Sequence, residues 1–206
     1  MIVIHYTAMP DTDAACRTLC NPDNEVSAHY LIAPDGTAMS LVAENMRAWH
    51  AGSGRWADVT DVNSASIGIE LSNDGYSPFA APLMDSLCAL MQGIMQRWDI
   101  PAHRVIGHSD MAPGRKIDPG ARFDWTRLAR LGLCAAPRPV DPAPLDQFVP
   151  LMHQAGFTAT DDADLALHSF RLRHRPYAIG PLDMADMALL TDLAQRFGVD
   201  GPASTA

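Results

Sequence analysis

The chain has 206 residues, of which 48% are hydrophobic and 19% charged, and its formal net charge at pH 7 is −9. These values are typical of a folded globular protein and argue against a disordered chain. The negative charge also argues against nucleic-acid binding, which needs clustered Lys and Arg, and no stretch approaches the ~18 consecutive apolar residues of a membrane span.

The first residues of the chain do not resemble an export signal. Residues 1–5, Met-Ile-Val-Ile-His, lack the basic region, apolar core and small-residue cleavage site of a signal peptide. We therefore expect a cytoplasmic protein from the chain as it stands, and a periplasmic one if a leader precedes it.

The first two thirds of the chain alternate strand and helix signals. A short apolar β-branched run at 2–4 predicts a buried strand, and His5 follows it directly. A Pro-Asp-Gly turn between two apolar runs predicts a hairpin over 28–42. These elements together predict an α/β domain with a mixed β-sheet flanked by helices. Its other predicted elements are strands at 67–71 and 104–107, a helix over 83–98, and a short helix at 125–131 with Asp124 as N-cap.

A proline-rich segment divides the chain. Residues 137–144 contain four prolines, which are incompatible with a helix or a central strand, so we predict a stiff linker between 1–136 and 145–206. In the second part we predict three short helices that form a small bundle. They are 145–155, bent at Pro150; 161–174, with Thr160 as N-cap; and 181–197.

One loop carries the residue types of a metal site. The chain has eight histidines, and none forms the H-E-x-x-H pattern of common zinc proteases. A Pro- and Gly-rich loop at 107–120 carries His108 near its start and Asp118 ten residues later. One interpretation is a surface loop in which Asp118 shapes the Asp-Pro-Gly turn. The other joins His108 and Asp118 to His5, a ligand set that suits a catalytic zinc ion with a fourth position open for water.

Five motifs occur in an order that resembles a known family. They are His-Tyr-Thr at 5–7, Ser-Ala-His-Tyr-Leu-Ile at 27–32, Ala-Trp-His-Ala-Gly at 48–52, Ser-Ile-Gly-Ile-Glu at 66–70 and the loop at 107–120. The series resembles the type 2 N-acetylmuramoyl-L-alanine amidase family, which is related to the peptidoglycan recognition proteins, and the match extends over 4–125. The Lys-x-Asp-Pro-Gly ending of the last motif resembles the branch of the family whose third ligand is Asp rather than Cys.

This resemblance implies zinc-dependent hydrolysis of the amide bond between N-acetylmuramic acid and L-alanine in peptidoglycan or muropeptides. It implies that His5, His108 and Asp118 bind zinc, that Glu70 is the acid/base residue and that Lys116 stabilises the transition state. These roles fit amide chemistry, because zinc lowers the pKa of bound water to about 7. A carboxylate can then accept the proton, and a cation opposes the charge of the tetrahedral intermediate.

Three further residues are candidates for substrate contacts. Trp49 would stack on a sugar or peptide and His50 would line the cleft, with core packing as the alternative for both. Tyr30 and its neighbour His29 lie on a strand whose side chains alternate in direction, so we expect only one of them to face the site.

The second part of the chain resembles the helical peptidoglycan-binding domain that accompanies some of these amidases. The matching stretches are 167–171 and 180–190, where Met-Ala-Asp at 184–186 replaces the Gly-rich aspartate loop of family members. Such a domain favours polymeric wall as the substrate. The lack of an export signal favours recycling of fragments inside the cell. The sequence does not indicate whether the substrate is intact wall, a released muropeptide or its 1,6-anhydro form, and it does not indicate an oligomeric state.

Two alternatives to a zinc amidase remain at this point. The first is a peptidoglycan-binding protein without catalysis, because relatives of this fold can lose zinc ligands. The presence of all five implied residues, from His5 to Asp118, favours an enzyme. The second is a zinc protease of ordinary peptides, against which the missing H-E-x-x-H pattern and the order of the motifs both argue.

Overall fold

A mixed sheet of five strands forms the centre of the protein in the computed structural model, which describes residues 1–198. The strand order is β3-β2-β4-β1-β5, in which β3 runs antiparallel to β2 and the other neighbours are parallel. This confirms the predicted mixed sheet. The strands are β1 (Ile2–Tyr6), β2 (Tyr30–Ile32), β3 (Ala38–Ser40), β4 (Ile67–Leu71) and β5 (Val105–Gly107).

Eight α-helices surround the sheet within the described residues. They are α1 (Thr12–Cys20), α2 (Val62–Ala65), α3 (Ala81–Trp98), α4 (His108–Met111), α5 (Trp125–Arg130), α6 (Phe148–Gln154), α7 (Ala163–His174) and α8 (Met184–Phe197). The sequence did not predict α1, α2 or α4, of which α2 and α4 are single turns. Across residues 1–198, no helix has both the length and the apolar character needed to cross a bilayer.

The alternating side chains of β1 explain why the sheet has two different faces. Ile2 and Ile4 belong to a hydrophobic cluster with α3, which buries Leu83, Leu87 and Met91 at helical spacing. Burying each such side chain stabilises the fold by about 1.5–3 kcal/mol. Because side chains alternate along a strand, His5 points to the face opposite α3.

The C-terminal helices differ from the prediction at their starts. Asp162, not Thr160, caps α7: its side chain accepts the backbone N–H groups of residues 164 and 165. Thr160 lies two residues too early to reach them and instead accepts the N–H of Asp162. Helix α8 begins at Met184 after the cap Asp183, because a cap of this kind defines the first turn.

Pro150 does not bend a continuous helix. A 3-10 turn at Leu145–Gln147 precedes α6, so that Pro150 falls in the first turn of the α-helix. The backbone N–H groups of a first turn have no partner within the helix, and proline is tolerated there.

The two parts of the chain share one hydrophobic cluster on the face of the sheet opposite α3. Val3, Trp56 and Met111 from the first part pack in it with Phe170 and Leu190 from the second. The division at the proline-rich segment 137–144 stays a prediction, and residues 199–206 of the predicted second part lie outside the described residues. The shared cluster means that the helices α6 to α8 cover apolar surface of the sheet.

A buried ion pair fastens α7 to the turn that follows β5. One guanidinium nitrogen of Arg173 donates to Asp110 Oδ2 at 2.7 Å, and another donates to the Val105 carbonyl at 3.1 Å. The same Asp110 oxygen accepts the Gly107 N–H at 2.8 Å, and Ser169 donates to the carbonyl of the residue after His108 at 2.7 Å. The second part of the chain therefore contacts the segment that carries a predicted metal ligand.

Candidate metal centre

The structure brings His5, His108 and Asp118 together, as the sequence predicted. The His5 and His108 Nδ1 atoms are 2.9 Å apart, and Asp118 Oδ2 lies 3.0 Å from the first and 3.1 Å from the second. All three side chains are buried. Among residues 1–198 this is the one group of three or more His, Cys, Asp or Glu whose donor atoms are close enough to share a metal ion.

The topology of the sheet explains this convergence. His5 lies near the end of β1, and His108 begins α4 directly after the neighbouring parallel strand β5, so both imidazoles lie at the same edge of the sheet. The loop at 107–120 then folds back on its own start, where Ser109 donates its backbone N–H to the Asp118 carbonyl at 2.9 Å. That bond aligns Asp118 with His108.

The outer ring nitrogen of each imidazole has a defined partner. His108 Nε2 lies 2.8 Å from the Ala51 carbonyl, which can only accept, so His108 carries its proton on Nε2. His5 Nε2 lies 3.0 Å from His50 Nδ1, and His50 Nε2 lies 3.3 Å from Ser66 Oγ. Both His5 and His108 therefore have an outer shell of the kind that orients metal-binding histidines.

The same contacts determine the protonation of His5. The Ser66 hydroxyl donates to the Val62 carbonyl at 2.5 Å, so its oxygen accepts from His50 Nε2–H. His50 Nδ1 is then the acceptor of the His5 Nε2–H. The Nδ1 atoms of His5 and His108 are consequently both unprotonated, and their lone pairs point towards Asp118.

The donor set fits a metal ion. Two imidazole lone pairs and a carboxylate oxygen converge within 3.1 Å of one another, an arrangement that a cation stabilises. Burial lowers the pKa of His5 to about 4, which keeps its ring neutral.

Glu70 and Lys116 lie beside this group. Glu70 pairs in register with His5 on the adjacent strand β4 and is 9% exposed. Its Oε2 atom is buried without a hydrogen-bond partner in the part of the chain that the structure describes. Burial and the charge of Asp118 raise the pKa of Glu70 to about 8, and Lys116 opposes the shift. The exposed Lys116 also lowers the pKa of His5, because its positive charge lies close to both His5 and Glu70.

The three candidates for substrate contacts lie in different places. Trp49 is half exposed, next to His50 in the chain. His50 is buried behind His5 rather than open to a ligand. Tyr30 packs with the cluster on the α3 face of the sheet and donates its hydroxyl to Glu44 at 2.6 Å, so it is not brought together with the metal-binding group.

The sequence interpretation assigned no role to two small residues of the motif at 66–70. Ser66 ends the hydrogen-bond chain from His5, and a Cβ at Gly68 would lie 2.3 Å from the His50 ring. A glycine inside a strand is a signal of such close approach. The sequence shows a glycine at 68 within the predicted strand, but it does not show that the group lying against it is the His50 ring.

Comparison with known proteins gave consistent matches. The model of the N-acetylmuramoyl-L-alanine amidase family matches residues 1–121. N-acetylmuramoyl-L-alanine amidase AmiD of Escherichia coli K12 is 32% identical over 237 aligned positions, which cover 97% of this chain and 84% of that protein. The 1,6-anhydro-N-acetylmuramyl-L-alanine amidase AmpD of Enterobacter cloacae is 40% identical over 62% of this chain and 78% of its own length.

Solved structures agree in fold over nearly the whole chain. E. coli AmiD, in complex with the substrate anhydro-N-acetylmuramic acid-L-Ala-D-γ-Glu-L-Lys, has a TM-score of 0.85 at 31% identity, and the alignment covers 94% of this chain and 87% of that one. Pseudomonas aeruginosa AmpDh3, in complex with anhydromuramic pentapeptide, has a TM-score of 0.84 at 31% identity, with 93% and 89% covered.

Proposed function

The chain belongs to the N-acetylmuramoyl-L-alanine amidase family and is an amidase of that specificity, and we propose that it works with a zinc ion held by His5, His108 and Asp118. The observation that carries this proposal is the convergence of two unprotonated Nδ1 atoms and one carboxylate oxygen within 3.1 Å. Nitrogen and oxygen donors in this number match catalytic zinc sites, in which a fourth position stays open.

The bound zinc would supply a water molecule of lowered pKa and an electrophile for the amide carbonyl. The protein residues hold their positions for this reaction through their outer contacts. His5 is oriented by His50, and His108 by the Ala51 carbonyl. Both imidazoles therefore carry their proton on Nε2, which leaves Nδ1 free to bind the metal.

Glu70 moves the proton in this proposal. Its carboxyl accepts a proton from the attacking water and returns it to the leaving amine of L-alanine. Three features support the role: burial, a pKa raised to about 8, and an Oε2 atom free of a hydrogen-bond partner within residues 1–198. A group whose pKa lies near the working pH can both accept and return a proton.

Lys116 opposes the negative charge that develops on the carbonyl oxygen. It lies two residues before Asp118 and is exposed, so its ammonium group is accessible to a substrate. Removing one such stabilising group from comparable sites costs about 3 kcal/mol of transition-state stabilisation. Trp49, which is half exposed and precedes His50 in the chain, is the remaining candidate for a stacking contact with the sugar or peptide.

We also propose that soluble 1,6-anhydro muropeptides are substrates. Complexes of AmiD and AmpDh3 with anhydromuramyl peptides support this, because both proteins match this chain over more than nine tenths of its length. The wall-binding role of α6 to α8 and the cytoplasmic location, expected from the sequence, stay predictions. Pull-down of the protein with sacculi and cell fractionation would test them.

The activity and its substrate can be tested together. The pure protein is incubated in parallel with sacculi, with an anhydromuramyl tripeptide and with the same tripeptide lacking the sugar, and the products are identified by mass. We expect release of intact tripeptide from the anhydromuramyl substrate, loss of activity with a chelator, and recovery with added zinc. Cleavage of the sugar-free tripeptide would instead identify a peptidase, and activity that resists chelation would refute the zinc mechanism.

A further inference from the structure

One side-chain oxygen contacts the backbone behind both imidazole ligands. Asn63 Oδ1, on the short helix α2, accepts the N–H of His50 at 3.0 Å and the N–H of Ala51 at 2.8 Å. An amide oxygen has two lone pairs, so it can accept both bonds at once. His50 and Ala51 are buried, and among residues 1–198 their N–H groups have no acceptor other than Asn63 Oδ1.

These two residues are the outer partners of the two histidine ligands. His50 Nδ1 accepts from His5 Nε2–H, and the Ala51 carbonyl accepts from His108 Nε2–H. A displacement of the 50–51 backbone would therefore move both acceptors together. It would affect the orientation of both imidazoles, although His5 and His108 lie 103 positions apart in the chain.

The segment 50–51 has no regular secondary structure that would hold it in place. Helix α2, in contrast, is capped by Asp61, which accepts the Ser64 N–H, and Asp61 pairs with Arg47. Strand β4 begins directly after this helix at Ile67. Asn63 thus connects an irregular segment to an element that is anchored in the sheet.

We propose that Asn63 is a positioning residue of the metal centre, which holds both histidine ligands in the metal-binding orientation through the backbone of His50 and Ala51. The inference rests on the zinc site proposed above. Outer contacts of this kind typically change metal affinity by about 10–100-fold when they are removed. Asn63 acts on the affinity for the metal and touches neither the metal nor the substrate.

The test compares zinc dissociation constants, measured by competition with a chromophoric chelator, for four variants and the wild type. Asn63→Ala removes the acceptor, and Asn63→Gln keeps the amide but displaces its oxygen by one methylene. We expect both to bind zinc about 10–100-fold more weakly. Asn63→Asp retains an oxygen in the same place and should bind within about threefold of wild type. Asn21→Ala, which removes an amide oxygen that accepts the Asp23 N–H remote from the centre, should match wild type.

Thermal unfolding of the metal-free proteins separates positioning from general stability. A purely structural role for Asn63 would lower the melting temperature and leave the zinc affinity of the folded protein unchanged. Wild-type affinity in Asn63→Ala or Asn63→Gln overturns the inference, and so does an affinity of Asn63→Asp as weak as that of Asn63→Ala. If Asn63→Ala does not fold, Asn63→Gln decides. Absence of zinc binding in the wild type would instead refute the proposed zinc site itself.

Discussion

His5 and Glu70 lie directly opposite each other on the adjacent parallel strands β1 and β4. The pairing places both side chains on the same face of the sheet, one as part of the group with His108 and Asp118 and the other beside it. Glu70 is not one of the three residues whose donor atoms converge, so a mutation of Glu70 can separate its role from metal binding.

The metal content of the protein is the first prediction. We expect about one zinc ion per chain in the wild type and little zinc in His108→Ala, because two donors hold the ion less well than three. Asp118→Asn should also weaken binding, since a neutral amide is a poorer ligand than a carboxylate. Metal analysis of the purified proteins measures this, with His153→Ala as a control, because His153 contacts the Thr160 carbonyl in the second part of the chain. Equal zinc in wild type and His108→Ala would contradict the assignment.

Glu70→Gln should retain zinc and lose activity. Glutamine keeps the size of the side chain but cannot accept the proton, and a positioned acid/base group contributes about two to four powers of ten in rate. Zinc content and kcat of the purified variant check both halves of the prediction. Loss of zinc would place Glu70 among the ligands, and wild-type activity would assign the proton transfer to another group.

Lys116→Ala should bind zinc normally and react more slowly. The expected loss is about two powers of ten in kcat with little change in KM, because the ammonium group acts mainly in the transition state. Steady-state kinetics on an anhydromuramyl peptide provide the measurement, and Arg122→Ala, at an exposed cation six residues later in the chain, is the control. An increase in KM alone would indicate a substrate-binding role for Lys116.

Arg173→Met should destabilise the whole protein. It leaves Asp110 buried without its partner, and breaking a buried ion pair in this way costs about 3–5 kcal/mol of unfolding free energy. Burial already raises the pKa of Asp110, although Arg173 opposes the shift. In Arg127→Met, which breaks the exposed pair with Asp85, the loss should be about 1 kcal/mol or less. Urea unfolding measures both, and equal stability of the two variants would show that the buried pair is dispensable.

The whole chain should unfold in a single thermal transition. The sequence predicts two parts separated at 137–144, but Phe170 and Leu190 of the second part pack in the same cluster as Val3 and Trp56 of the first. Elements that share a buried cluster lose it together when either one unfolds. Differential scanning calorimetry at several scan rates tests this expectation. Two resolved transitions would support independent domains.

Much of the fold was predictable from local patterns. The apolar run before His5, the Pro-Asp-Gly turn and the apolar spacing in α3 each determine an element within a few residues, and the structure confirms them. The short turns α2 and α4 carry no such pattern, because four residues are too few to show a period. The predicted N-cap of α7 was wrong by two residues. Thr160 and Asp162 are both good N-cap residues, and only the path of the backbone selects between them.

The sequence by itself determined the candidate ligands and the residues beside them, because the residue types in the motifs and the order of the motifs can be read directly from the chain. Only the tertiary structure decided how those ligands are held. The sequence left cleft lining and core packing open for His50, and the structure places it as the acceptor behind His5. Asn63 accepts the backbone N–H groups of His50 and Ala51, the two residues that contact the ligands. Hydrogen bonds of this kind join residues that are far apart in the chain and depend on distances of a few tenths of an ångström. No local pattern encodes such distances, which arise when the strands pair and the helices pack.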